Sequence, residues 1–247
     1  MKQLAGDWPE ALPRYWCGDD AFETRFLEAM SLLAPEMERF LIAAVREGLA
    51  LPGGEAMAAA GAAFLREEAV HSRVHHGFNR RLQAQGIDAD AALAGVRRLS
   101  RFARRVLPAA GQLAVAAACE HLSAILSLAF LRAPGRARIR SGDADRLFAA
   151  HAREEIGHRA LVFDVLRATG GGGWAGRAVA LAAVSLVGLG CALRVMAALL
   201  AREERGLWWR GAASLLRTGQ WVSPGRLLRH WMLYLQPGFH PSCLPEG

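Results

Sequence analysis

Lysine is almost missing from this 247-residue chain: Lys2 is the only one, and arginine supplies 29 of the 30 basic residues. Tyrosine occurs only twice, and runs of β-branched residues are few. Cysteine is scarce as well: Cys17, Cys119, Cys191 and Cys243 lie far apart and form no C-x-x-C pair. That spacing excludes a zinc clip and a disulfide framework, so a reducing, cytoplasmic compartment is expected. Met1 to Pro13 is polar and lacks the apolar core of a secretory signal. No glycine-rich phosphate loop, nucleophile elbow or dinucleotide fingerprint is present. The formal charge of +7 and pI near 10.2 raise the question of nucleic acid or anionic lipid. The arginines, however, alternate with Glu and Asp along the chain, and no aromatic platform accompanies them. Nucleic acid is therefore not an expected partner.

What is present favours helices. Apolar residues make up 53% of the chain, and Ala, Leu, Arg and Glu dominate. Residues 1–22 read as a surface-wrapping segment with Trp and Pro. Helical periodicity follows over 24–49, with Pro35 as a kink or a start, and then over 55–85, 88–107, 109–132 and 143–168. Gly86 and Pro108 fit helix ends, and Ser141 or Asp143 fits a cap. Gly170 to Gly173 form the clearest linker, dividing a bundle over 1–169 from a C-terminal part over 174–247. Residues 178–193 carry no charge, and the apolar stretch reaches Ala201 with only Arg194 inside it. Its length is close to that of a membrane span. Arg177, Arg202, Arg205, Trp174, Trp208 and Trp209 flank it as interfacial residues would. Membrane association and an ordinary core helix are both open at this point. One or two amphipathic helices and an extended Gln236–Pro241 end complete the chain.

Two helices carry one phrase in opposite directions: Glu68-x-x-His71 with His75 following, and Glu155-x-x-His158 with His151 preceding. At about 100° per residue, positions three and four apart share a helix face. Each helix thus offers one carboxylate and two imidazoles to one side, a costly arrangement unless a cation sits there. Glu120 stands in the most apolar helix before the linker, and Glu38 lies in the first long helix with Glu36 as its competitor. The order is Glu38, Glu68/His71, Glu120, Glu155/His158, the ligand scheme of ferritin-like dinuclear bundles. The candidate metal ligands are therefore Glu38, Glu68, His71, His75, Glu120, His151, Glu155 and His158. Glu67 and Glu154 point about 100° away from their neighbours and read as supporting or surface groups. His121 reads as a hydrogen-bonding neighbour, and His76 as exposed. Asp164 is either the orienter of a ligand imidazole or a solvated acid; His240 sits either in a fixed turn or in a lid. A set of imidazoles and carboxylates without thiolate suits iron, manganese or zinc, and bridging carboxylates favour iron-containing pairs.

These stretches resemble the bacterial predicted metal-dependent hydrolases. Members carry P-x-G-E-x-F-F, Q-E-x-x-H-x-x-x-H-x-x-x-N, E-H-x-T-A, W-H-x-x-E-E-I-E-H-K-x-V-A-F-D-V and R-P-x-F-H-P. Here the matching segments begin at Pro35, Glu67, Glu120, His151 and Gln236. Met37, Glu67, Ser123 and Gly157 replace the usual Gly, Gln, Thr and Glu, and none of these is a candidate ligand. The helix with His151, Glu155 and His158 is also similar to di-iron arylamine N-oxygenases, in which an additional His joins the set. The resemblance implies an all-α, ferritin-like four-helix bundle with a dinuclear metal site, followed by an apolar helical appendage. It implies a metal-dependent enzyme holding two divalent ions, iron first among them. Oxidation of an apolar substrate by dioxygen leads; hydrolysis of an ester or phosphoester, and a non-catalytic metal bundle, are the alternatives. The expected partners are a small apolar or lipid-like substrate, the inner face of the cytoplasmic membrane and a second copy of the chain.

Overall fold

Asp20 begins the first helix: its carboxylate accepts from the Glu23 amide at 2.8 Å, satisfying one of the amides that a helix start leaves unpaired. The computed structural model describes residues 12–201 and 203–245. The expectation for residues 1–11, and the flanking position of Arg202, lie outside the described residues. Within the following residues, Trp16 and Cys17 are buried. The only β pairing among the described residues is an isolated bridge between Cys17 and Ile139.

Four long helices form the bundle: α1 (Ala21–Leu49), α2 (Ala58–Ala84), α4 (Ala109–Leu131) and α5 (Gly142–His158). α1 packs on α2 and α4, α5 packs on α4, and α2 touches α5, which closes the ring. A shorter helix, α3 (Ala89–Val106), lies outside against α1. Asp88 caps α3 and Ser141 caps α5, each side chain accepting an amide three residues on. Gly48 in α1 has no room for a side chain, because a Cβ there would stand 2.7 Å from Leu113 of α4. That absence lets the two helices approach closely.

The periodicity predicts one helix over 143–168, but the chain breaks it after His158 and resumes as α6 (Leu161–Ala168). The Arg159 guanidinium donates to the Ile156 carbonyl, the group a continuing helix would have paired with the Ala160 amide. Arg159 also reaches the Pro241 carbonyl of the tail at 3.2 Å.

After the glycine linker, α7 (Trp174–Leu200) packs on α4, α1 and α3. It buries only Arg177, Ala180, Leu181, Val195, Met196 and Leu199. Arg177 precedes the apolar stretch, but its side chain is not at an interface. It is buried, donates to the Tyr234 and Gln236 carbonyls at 3.2 Å each, and lies over the Phe163 and Tyr234 rings. Arg194 lies against Gly95 of α3. Two short helices follow, α8 (Leu207–Thr218) and α9 (Pro224–Leu233), and neither buries a residue fully. Among the described residues α4 and α7 are long and apolar enough to cross a membrane. α4 is the core of the bundle, and the pair fits a soluble or a membrane-associated protein equally.

Two apolar clusters occupy the bundle. One gathers Phe40, Leu41, Phe64, Leu113 and Leu166; the other gathers Trp16, Val74, Phe78, Leu147 and Phe148. On α2, Phe64 lies one turn before Glu68 and Phe78 follows His75, so the polar stripe of that helix sits between the clusters.

Candidate dimetal centre

Glu68, His71, His75, Glu120, Glu155, His158 and Glu38 are all buried, and His151 is nearly so. Two groups of donor atoms form from them. Glu68, His71, Glu155 and His158 bring ligand atoms within 4.8 Å of one another, and so do Glu38, His75 and His151. Glu120 is fully buried and belongs to neither group at that distance. Within the first group His158 Nδ1 lies 2.7 Å from Glu68, and His71 Nδ1 lies 3.2 Å from Glu155. The His151 ring centre stands 4.7 Å from those of both His71 and His75, which joins the two groups.

The outer nitrogens are claimed by neighbours. His71 Nε2 donates to Glu154 at 2.6 Å, and His158 Nε2 donates to Glu67 at 2.7 Å. Each bond crosses from one E-x-x-H helix to the other. The Ser123 hydroxyl of α4 donates to Glu155 Oε2.

His75 is held by a chain that starts at Pro35. Proline has no N–H, so the Ser31 carbonyl of α1 loses its helical partner. The Asn79 amide of α2 takes that carbonyl at 2.8 Å. The Asn79 oxygen then accepts the Ser31 hydroxyl proton at 2.7 Å. Ser31 has only one proton to give, so its oxygen accepts from His75 Nδ1 at 2.8 Å. The tautomer follows: Nε2 is left bare, buried and without a partner.

That bare nitrogen has company. Both oxygens of Glu38 and Glu120, Glu68 Oε2 and His151 Nδ1 are buried with no hydrogen-bond partner, while Glu68 Oε1 and Glu155 Oε1 meet only the Nδ1 atoms of His158 and His71, at the distances given above. Buried polar atoms are paired in nearly all proteins, and leaving one unpaired costs about 1–3 kcal/mol. So many orphaned donors facing one another fit divalent cations, and no thiolate stands among them. Glu38, Glu68, His71, His75, Glu120, His151, Glu155 and His158 could hold them. Glu36, by contrast, is committed to Arg39 and to Arg97, the latter at 2.8 Å.

Protonation is correspondingly strained. Burial, then the Glu68 charge, push Glu38 well above the usual carboxylate range. Burial, then Glu155 and Glu68, do the same to Glu120. Burial also opposes charge on Glu155, but His151 and the bonds from His71 and Ser123 outweigh it and hold that carboxyl at about 2. Burial disfavours charge on His71 too, yet its bonds to Glu154 and Glu155 raise it to about 10. Burial holds His151 at about 4 and, with the His151 and His71 charges, holds His75 well below its ordinary value.

The remaining candidates lie elsewhere. His121 stacks on Tyr234 with ring centres 4.6 Å apart and donates to the His230 carbonyl at 3.2 Å. Asp164 accepts from His240 at 2.9 Å and does not meet a site imidazole. His240 is fixed in a turn by Ser242. His76 is exposed and bonds to the Ser72 carbonyl of its own helix.

No curated protein and no solved structure matches the chain. A family model described as predicted metal-dependent hydrolase matches residues 1–244. With that match over almost the whole length, and a buried His/Glu cluster suited to divalent metal at its centre, the chain belongs to the predicted metal-dependent hydrolase family.

Proposed function

We propose that the chain is a dinuclear iron enzyme that uses dioxygen to oxidise a small apolar or lipid-like substrate. The observation that carries this reading is the enclosure of the donor set: Glu38, Glu68, His71, Glu120 and Glu155 have no solvent exposure at all. Dioxygen is small enough to reach so enclosed a centre, whereas any larger substrate, apolar or ester, needs the site to open. The pair of ions would supply the electrons that reduce dioxygen. The chain's part is to fix the donors and keep water out. Glu154 and Glu67 orient His71 and His158; Ser123 orients Glu155; Ser31 and Asn79 orient His75. The clusters around Phe64 and Phe78 keep both ends dry.

Anaerobic loading with ferrous iron followed by oxygen should give a transient visible absorption band. A loaded protein that consumes no oxygen would sink the proposal. The family's description favours hydrolysis as a second reading, in which two metals activate a water and clamp an ester or phosphoester. Oxygen-independent turnover of such esters with zinc or manganese would select it.

A lipid surface is the proposed meeting place with an apolar substrate. Val179, Leu186, Leu189 and Leu193 of α7, Trp209 and Leu216 of α8, and Leu228 and Met232 of α9 are exposed. No acidic residue occurs between Arg205 and Pro245, whereas four arginines do. Arg210 pairs with Glu204 at 3.0 Å, and the excess of arginine beside exposed apolar side chains suits an anionic interface. The protein should float with phosphatidylglycerol vesicles and not with phosphatidylcholine vesicles; recovery at the bottom of the gradient with both would refute this.

A further inference from the structure

The C-terminal half of α3 turns apolar side chains to water. Leu99, Phe102 and Val106 are 38%, 62% and 53% exposed. At about 100° per residue they fall within about 60° of one another around the helix, so they form one stripe. Gly95 lies on that stripe too, about 40° from Leu99. There Arg194 of α7 packs against α3, 3.0 Å from where a Cβ of Gly95 would stand. Arg194 follows the exposed Leu186, Leu189 and Leu193 along α7. The apolar stripe of α3 therefore begins where the exposed apolar helix crosses it.

A second stripe runs beside the first. Arg98, Arg101 and Arg105 repeat the same spacing one residue earlier, about 100° away around the helix. All three are exposed, and among the described residues no carboxylate pairs with any of them. Their neighbours on the side of α1 are treated differently. Arg97 pairs with Glu36 and Asp90 at 2.8 Å each, and Arg104 pairs with Glu47 at 3.0 Å. The arginines that meet the acids of α1 are neutralised, and the outer row is left with its charge.

We propose that α3 lies on an anionic phospholipid leaflet, with Leu99, Phe102 and Val106 among the acyl chains and Arg98, Arg101 and Arg105 on the lipid phosphates. Such a leaflet offers apolar depth and negative charge side by side, as the two stripes require. The long arginine side chains can keep their heads at the phosphates while their stems cover apolar surface. A second copy of a chain with formal charge +7 offers no surplus of negative charge to the arginine row. This role rests on the lipid surface invoked above for an apolar substrate, and adds the helix that reads the charge of that surface.

Flotation of the full-length protein over a series of lipid concentrations tests it, with vesicles of equimolar phosphatidylglycerol and phosphatidylcholine. Arg98→Gln, Arg101→Gln and Arg105→Gln together should weaken binding on the order of 100-fold, the loss of three charges at such a surface. Arg66→Gln, Arg73→Gln and Arg153→Gln together remove the same charge from exposed sites on α2 and α5, and should weaken it less than about five-fold. Phe102→Ser should weaken it about ten-fold through lost apolar burial. All these side chains are exposed, so the variants should fold. If the parent protein does not float, the lipid surface and this role of α3 both fall. If the parent floats and the α3 arginine variant binds as well as the α2 and α5 control, the lipid surface stands and the role of α3 is refuted. Dimerisation of the parent that Phe102→Ser abolishes, without flotation, would give the face to a second copy instead.

Discussion

Glu154 of α5 holds His71 of α2 across the bundle, its Oε2 2.6 Å from the imidazole Nε2. The mirror bond joins Glu67 of α2 to His158 of α5. Each helix therefore orients the imidazole of the other through the acid one residue before its own Glu-x-x-His. A carboxylate behind a ligand imidazole fixes its tautomer and raises its basicity. Glu154→Gln should weaken metal affinity by about 10–100-fold, the usual effect of removing such a partner. The protein should stay folded, because the Glu154 side chain is 38% exposed. Metal titration with a competing chelator reads the change, and affinity within two-fold of the parent would refute the role.

Asn79 should matter for stability and for the metal together. Asn79→Leu leaves the Ser31 carbonyl without its donor and frees the His75 tautomer. An unpaired buried carbonyl costs about 1–3 kcal/mol, which urea melts of the metal-free protein would detect. Pro35→Ala should restore part of that loss, since an alanine amide can serve Ser31 again. Equal loss in the single and double variants would contradict this.

Metal uptake should release protons. Burial and neighbouring carboxylates favour the protonated form of Glu38 and Glu120, and His71 is raised to about 10, so the metal-free centre binds protons more readily than the same groups would in water. Divalent ions must displace them, so affinity should fall as the pH falls. Titrations in two buffers of different ionisation enthalpy measure the released protons. Equal apparent enthalpies would show that none leaves.

His121 should limit stability on the acid side. Burial holds its folded pKa at about 4, below the 6.5 of a free imidazole. The unfolded chain thus takes up the proton first, and stability falls as the pH drops from about 6.5 to about 4. Between pH 7 and pH 5 this group accounts for about 2 kcal/mol of loss. His121→Phe keeps a ring against Tyr234 and removes the titration, so melts at the two pH values should differ less by about that amount. An undiminished pH effect would contradict the assignment.

The helices were legible because apolar spacing, Gly86, Pro108 and Ser141 report local rules that each segment obeys alone. The convergence of Glu68, His71, Glu155 and His158 was legible for a similar reason: three- and four-residue spacing fixes a shared face before any packing is known. What depends on two helices meeting was hidden. Glu67 and Glu154 read as supporting or surface acids, and only α2 lying beside α5 decides for the former. Pro35 reads as a kink or a helix start; it lies inside α1, and only the approach of Asn79 shows what the freed carbonyl does. The break after His158 rests on a side chain displacing a backbone partner, which periodicity does not report. Arg177 looked interfacial because a sequence flank does not disclose that the tail folds back over it.

The two donor groups differ in charge as well as in composition. With neutral imidazoles, Glu68 and Glu155 give the first group two negative charges, whereas Glu38 gives the second only one beside His75 and His151. A divalent cation would be neutralised in one group and left with a surplus positive charge in the other. Glu120, buried and outside both, is a further carboxylate that could even that balance. Two ions in this bundle would therefore not be interchangeable. Filling would be stepwise, a half-filled protein would be a distinct species, and unlike metals could sort themselves between the two places.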